Sequence, residues 1–469
     1  MLGSVVKVLA VSDEPDYEQP WQTKGPQGVT GSGAVIRTRN GLRVLTNAHV
    51  VQNQVYVEVK RHGRAEKYPA TVEGVGHECD LAILNIADRD FFRGVEPLPL
   101  GRLPALSARV SVLGYPIGGE RLSVTQGVLS RIEMTPYSQS QTVLLAGQID
   151  AAINSGNSGG PVVRGEKLVG VAFQSLEEGE NIGYIIPVPV VRHFLQDMAN
   201  GVFDGFPHLG VTVQSLESPV HRCALGISYR HGVLITSVAF GSSAWSRLAR
   251  RDVLLEVDGV PVAADGTVKF RKNAQLDYRY VVTERHVGDT ISVKVWTEGK
   301  RHDVEIPLGP PAYLVSEDRY DVKPSYYLFG GLLFVPLTRD YLKTWGSQWW
   351  QDAPHSLLHH YEYGVRSPEQ HEVVILQKVL ADTVNRGYHH AESLEVVKVQ
   401  GKPLRNLKDL VRIVEGTRGE FVTFETAQGA ELVLNRAEAR ARRDAILTRF
   451  GVPADRSSDL RRRATGVGG

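Results

Sequence analysis

The sequence predicts a mainly β protein: a double barrel of antiparallel strands over residues 1–200, followed by two smaller β-rich modules. Three observations carry that reading. Short apolar runs succeed one another at close spacing through the first third, separated by Gly- and Pro-bearing turns and almost free of helical periodicity. The order of loop, strand, strand-turn-strand and closing hairpin then occurs twice, over 203–309 and more loosely over 323–436. The length of 469 residues suits three domains of roughly 100–200 residues each.

Taken in order, a first strand over 1–11 runs into an acidic loop, 13–21, that carries Tyr17 and Trp21. Bulky aromatics in a polar loop outside the strand pattern suit a subunit interface, and that is where they are expected. Strands follow at 31–36, 44–51, 55–59, 68–72, 81–86, 110–113, 122–131, 142–153, 161–163 and 169–173, with a hairpin turn at Asn40-Gly41. A helix over 187–198 closes the region, opened by proline and ended before Gly201.

Apolar residues make up 42% and charged residues 22% of the chain, an ordinary globular balance. The net charge of +1 gives no whole-chain attraction to nucleic acid or anionic membrane, so neither is expected as a partner. Cys79 and Cys223 fall in different predicted domains, so no disulfide is expected between them. No apolar run reaches the roughly 18–20 residues that span a bilayer, and the N-terminus enters a strand pattern at once with no targeting pattern, so either the protein stays where it is made or its targeting piece is missing from this chain.

The chemistry centres on Gly156-Asn157-Ser158-Gly159-Gly160. Such a turn lifts the Ser158 hydroxyl out of the surface. It can also aim the N–H groups of Gly156 and Ser158, with Asn157 beside them, at one point, as an oxyanion hole requires. A serine nucleophile needs a base, and the base an orienter. His49 ends the run Leu45-Thr46-Asn47-Ala48-His49, and Asp80 precedes the apolar run Leu81-Ala82-Ile83-Leu84. The order His, Asp, Ser within one double-barrel length makes these three the candidate catalytic set. His77 is the nearest competing base, in a turn over 74–78.

Thr46-Asn47-Ala48-His49-Val50-Val51, Cys79-Asp80-Leu81-Ala82-Ile83-Leu84, Gly114-Tyr115-Pro116 and Asn181-Ile182-Gly183-Tyr184-Ile185-Ile186-Pro187 closely resemble the HtrA/Deg (Do-like) serine proteases. The resemblance covers nearly the whole chain and is nearest the plant-type Deg branch with two PDZ domains, which includes chloroplast members. It implies a chymotrypsin-like double barrel, with His49 as base, Asp80 as orienter and Ser158 as nucleophile. One departure is Ser155, where the family usually has proline. Substrate is expected to lie as an added strand along 171–174, touching Phe173 and Gln174, with Ile182, Gly183 and Tyr184 forming the pocket before the scissile bond. The resemblance implies an ATP-independent endopeptidase acting on unfolded or damaged proteins, assembled as trimers or multiples of trimers. The chemistry calls for no metal or cofactor.

Residues 203–309 resemble a PDZ domain, with His208-Leu209-Gly210-Val211 as its peptide-binding loop and free N–H groups expected beside Gly210. A short helix is expected at 243–248 and a tight turn at Asp258-Gly259. Residues 323–436 read as a divergent second PDZ domain with an aromatic insertion, 340–371, expected to pack against another module or subunit. His355 and His359 within it are four apart, but no carboxylate-and-histidine motif completes a metal site, so a plain helix is expected. The tail 437–469 is Arg-rich and expected to be helical, solvated and partly frayed. The rival class is a chaperone or scaffold with a dormant site, which Ser155 and the divergent second module favour.

Overall fold

The computed structural model describes residues 1–116, 118–119, 121–154, 156–175, 183–227 and 230–461. Strands β1 (Val5–Ser12), β2 (Gln27–Thr38), β3 (Gly41–Thr46), β4 (Gln54–Arg61), β5 (Lys67–Gly76) and β6 (Leu81–Asn85) close a barrel in the order β1-β2-β3-β6-β5-β4. A second barrel closes in the order β10-β11-β12-β9-β8-β7. Its strands are β7 (Arg109–Gly114), β8 (Ser123–Pro136), β9 (Val143–Ile149), β10 (Pro161–Arg164), β11 (Lys167–Ser175) and β12 (Gly183–Pro187). Closure leaves neither sheet with a long open edge. The shared core between them holds Leu45, Leu81, Leu113, Tyr137, Phe173 and Phe194, all at most 3% exposed.

Two sequence expectations change here. The run expected as strand through residue 51 ends at Thr46, and Ala48–Val51 winds into one helical turn, α1. The helix Val188–Asp197, α2, starts after Pro187 as expected and buries Val191 and Phe194 against the barrels.

The chain divides into two compact units. One joins both barrels to the first β module and comprises Met1–Asp13, Pro26–Val238 and Ser242–Pro311. That module is a sheet of Val211–Gln214, Val233–Val238, Val253–Val257, Thr290–Thr297 and Lys300–Pro307 in sequence order, with Val260–Pro261 paired to Val253–Val257. Asp258 and Gly259 both take positive φ, the pairing a two-residue hairpin turn demands. The helix expected at 243–248 is a run of turns instead, because Ser246 takes φ +62° and breaks the winding.

The other unit holds Glu14–Gly25, Ala239–Gly241 and the chain from Ala312 onward. Its sheet runs Tyr327–Phe329, Leu332–Pro336, Val374–Val379, Leu394–Val399, Phe421–Thr426 and Glu431–Asn435, with Lys402–Pro403 paired to Leu394–Val399. Tyr17 and Trp21 are used within this unit, correcting their expected place between subunits. The Trp21 ring meets Tyr326 edge-on at 5.8 Å, and the Gln377 amide donates to the carbonyls of Tyr17 and Glu18 at 3.0 Å each. The aromatic insertion also packs mainly on its own unit: Trp349 meets Tyr361 at 5.5 Å and Trp345 meets Tyr341 at 5.1 Å, while Trp350 stays exposed.

The tail is helical over Arg436–Arg449, yet its described part is docked, not frayed. Ala439 and Ile446 are buried, and Arg442 and Arg449 both reach the fully buried Asp382 carboxylate. Residues 462–469 lie outside the described residues.

Candidate active site

Three local devices bring His49, Asp80 and the Ser158 turn to the seam between the barrels. The first is the end of β3. The Thr46 hydroxyl donates to the Ser32 carbonyl at 2.7 Å, Asn47 keeps extended backbone, and the next residue opens α1, which carries His49. The Asn47 side chain does not cap α1; its amide donates to the Asp80 carbonyl at 2.7 Å.

The second device is the turn before β6. Asp80 takes φ +52°, a conformation that short polar side chains tolerate best, and its N–H donates to the His77 carbonyl. Its carboxylate, 1% exposed, then meets His49 twice: Oδ1 accepts the His49 backbone N–H at 2.9 Å, and Oδ2 faces Nδ1 at 2.7 Å. Burial opposes charge on the imidazole, but the Asp80 charge and hydrogen bond outweigh it and raise the His49 pKa. With Nδ1 committed to Asp80, Nε2 is the nitrogen left to accept a proton. The His77 ring faces Gln139 at 3.5 Å.

The third device is the serine turn. The Ser158 carbonyl accepts the Ser32 N–H at 2.8 Å, and Gly159 N–H donates to Ala172 on β11 at 2.9 Å, so the turn is fastened to both barrels. A Cβ added at Gly31 would lie 2.6 Å from Val50 of α1 and 3.2 Å from the Ser158 carbonyl, which shows how closely the His49 and Ser158 segments approach. The Ser32 hydroxyl donates to the Gly156 carbonyl at 2.7 Å and accepts the Tyr115 N–H at 2.8 Å. Sequence reading passed over Ser32; its signal was a polar residue between two glycines at the head of an apolar strand.

Of the three amides expected around an oxyanion, that of Asn157 is engaged, donating to Asn154 at 2.9 Å. Among the described residues the N–H groups of Gly156 and Ser158 have no acceptor. Ser155 and Ile182 lie outside the described residues, as does the Gln174 side chain. The strand expected to receive substrate is only partly open. Val171 already pairs with Pro161 on one side and Ile186 on the other, leaving the edge beyond it from Phe173 to Ser175. The Phe173 ring is buried against Tyr137 at 4.6 Å, so only its backbone can meet a substrate. The Tyr184 hydroxyl donates to Glu133 at 3.0 Å, and Gly183 packs on Ile153.

In the first module, Leu209 is buried and Gly210 takes φ +76°, with the Ser242 Cβ 2.1 Å from where a side chain would begin. The Gly210 N–H, expected to be free, donates to His208 Nδ1 at 3.1 Å. Burial first, and then Arg279, lower the His208 pKa, which keeps the ring neutral and able to accept. Among the described residues no cluster of three or more His, Cys, Asp or Glu could hold a metal ion, and no helix is long and apolar enough to cross a membrane. His355 and His359 lie exposed on the helix His355–Tyr363.

Two family models match the chain: a trypsin-like peptidase domain over 31–171, which contains His49, Asp80 and Ser158, and a PDZ domain over 315–459. The Arabidopsis thaliana protein "Protease Do-like 2, chloroplastic" is 39% identical over 463 residues, covering 98% of this chain and 75% of its own. "Protease Do-like 4, mitochondrial", from the same organism, is 38% identical over 460 residues, covering 98% and 85%. A solved HtrA-type protease AlgW with tripeptide superposes with a TM-score of 0.51 at 24% identity, over 66% of this chain and 95% of that one, a likeness of fold.

Proposed function

The chain belongs to the Do-like (HtrA/Deg) serine proteases and is a serine endopeptidase; from that premise we propose that His49, Asp80 and Ser158 form its catalytic triad. The carrying observation is the pair of hydrogen bonds between His49 and the Asp80 carboxylate, the backbone N–H donating to Oδ1 and Nδ1 facing Oδ2. Asp80 fixes the tautomer in which Nε2 accepts the Ser158 proton as the hydroxyl attacks a peptide carbonyl, and it stabilises the imidazolium that results. The N–H groups of Gly156 and Ser158 receive the oxyanion. His49 returns its proton to the leaving amine, and water repeats the sequence on the acyl-enzyme.

The physiological role is the ATP-independent removal of unfolded or damaged proteins. The first module captures extended C-terminal tails along Val211–Gln214, the second serves assembly into trimers or their multiples, and an organelle is the setting, as the names of the two Arabidopsis relatives suggest.

Fluorogenic peptide cleavage tests the assignment. Ser158→Ala should lower turnover roughly 10⁴- to 10⁶-fold in a folded protein, with Asp80→Asn close behind. A Ser158→Ala protein keeping more than about a tenth of the activity would contradict the triad. Protection of an unfolded client with no cleavage by the wild type would favour the chaperone reading.

A further inference from the structure

The turn that presents Asp80 has a second anchor, two residues upstream. The Glu78 side chain reaches the segment that leads out of the barrels after α2. Its Oε2 accepts the Phe206 N–H at 2.6 Å, and Gly205 packs so closely that an added Cβ would sit 2.8 Å from the carboxyl. The Glu78 carbonyl accepts the Ser140 hydroxyl at 2.8 Å. The same segment is held from the other side by Asp197 at the end of α2, whose Oδ2 accepts the N–H groups of Asp204 and Gly205 at 2.9 and 3.0 Å.

The contacts continue into the first module. The Phe206 ring stacks on His193 of α2 at 4.1 Å, and His193 stacks on His286 at 4.0 Å while facing the Arg285 carbonyl at 2.9 Å. Cys79, between Glu78 and Asp80, is fully buried and donates to the Gly76 carbonyl. The turn is thus tied to its own barrel by Cys79, to the second barrel by Ser140 and to the interdomain segment by Glu78.

We propose that Glu78 is a positioning residue for the protease reaction: it fastens the segment leading to the first module onto the turn that aims Asp80 at His49. This rests on the assignment of Asp80 as orienter. A loose interdomain segment would leave the turn held on two sides instead of three, with Asp80 in a sparsely populated backbone conformation. The charged group acting on Glu78 is Asp197 on α2, and the titratable neighbour on its own turn is the Cys79 thiol. Burial, and then Asp197, push the Glu78 carboxyl up to about 7. The Phe206 N–H opposes that rise; because the folded value still lies above the unfolded one, the stability Glu78 contributes to folding is present at acid pH and lost as pH rises through about 7.

The test uses the full chain, with active sites counted by titration with a serine-directed phosphonate. Glu78→Ala should lower kcat per titrated site about tenfold with little change in KM, and hydrogen exchange at the Phe206 amide should quicken. Glu78→Gln, whose carbonyl can still accept that N–H, should restore kcat per site and slow the exchange again. A Glu78→Ala protein with fewer titratable sites but wild-type kcat at each would show a merely structural role and overturn the proposal. Wild-type exchange at Phe206 in Glu78→Ala would overturn it too. Asp80→Asn, assayed alongside, separates the two readings: a fully active Asp80→Asn enzyme would remove the orienter, whereas Phe206 exchange reports on the clamp regardless.

Discussion

The two β modules share an order of elements and differ at one edge. In each, a glycine-bearing loop enters a strand, an antiparallel partner follows, then a strand-turn-strand, a helix and a closing hairpin. In the first module the entering strand, Val211–Gln214, alternates half-buried and exposed residues, and among the described residues no strand pairs with its outer edge. In the second, the corresponding strand Leu332–Pro336 is almost wholly buried, and its outer edge is taken by Tyr327–Phe329. That added strand is itself covered: Leu328 N–H donates to Asp455 at 2.7 Å, and Ser457 N–H to Tyr326 at 3.0 Å.

The side chains repeat the contrast. Tyr327 and Phe329 fill the space against Leu407, Leu410 and Val414 of the helix Leu407–Gly416, whereas Val211, Val213 and Val281 of the first module remain partly exposed. An unpaired strand beside an apolar groove is a template for an extended peptide; one that the chain has already filled is not. On the proposed reading, topology alone does not make a peptide site: the added strand fills the edge that the first module leaves open.

The largest effect expected from breaking this contrast is at Tyr327. It is 1% exposed, donates to Glu415 at 2.9 Å and lies under the Arg456 guanidinium. Tyr327→Ala should destabilise the second unit by about 3–5 kcal/mol, the cost of a large cavity plus the lost hydrogen bond to Glu415, as read by urea unfolding. A loss below about 1 kcal/mol would mean that the added strand is not integral to the sheet.

Next comes Gly210→Val, which places a side chain where Ser242 already sits. It should weaken binding of an apolar C-terminal peptide at least tenfold and spare cleavage of short substrates. Unchanged affinity would show that this loop is not the peptide site.

Asp382 gives a smaller effect. Hydrogen bonds from Arg442, opposed by burial, hold its carboxyl well below the usual carboxylate range. A depressed value means stability present above the unfolded pKa and lost as pH falls through the folded one. Asp382→Asn should flatten that acid limb and lower the melting temperature of the second unit by roughly 2–4 °C or more. An acid limb as steep as the wild type's would contradict it.

The smallest effect is at His208. Its pKa is lowered, so protonation comes only at acid pH, where Nδ1 can no longer accept the Gly210 N–H and the ring adds positive charge. Affinity for a free C-terminal carboxylate should rise a fewfold as pH falls through that lowered pKa, and His208→Gln should abolish the rise.

Much of this was legible in residue order. Alternating apolar runs and Gly/Pro turns marked the barrel strands, and Asp258-Gly259 marked its hairpin, because period and turn chemistry are local properties. The candidate triad was legible as types and order; the pair of hydrogen bonds joining His49 to Asp80 was not, since it depends on a positive φ at Asp80 and on α1, whose sequence Ala48-His49-Val50-Val51 has strand propensity. Tyr17 and Trp21 misled because bulk in a polar loop predicts burial but not by what; Tyr326 and Gln377 lie more than 300 residues away in sequence. The docked tail was hidden for a related reason: its arginines look solvated until Asp382 is placed beside them.

The central claim is that the open edge of Val211–Gln214, in the first module, captures substrate tails. Calorimetric titration of full-length Ser158→Ala with an apolar C-terminal peptide, as free acid and as amide, tests it most directly. One peptide should bind per chain at micromolar strength, with binding lost on amidation and in Ser158→Ala/Gly210→Val. Two peptides per chain, or binding that survives Gly210→Val, would contradict it.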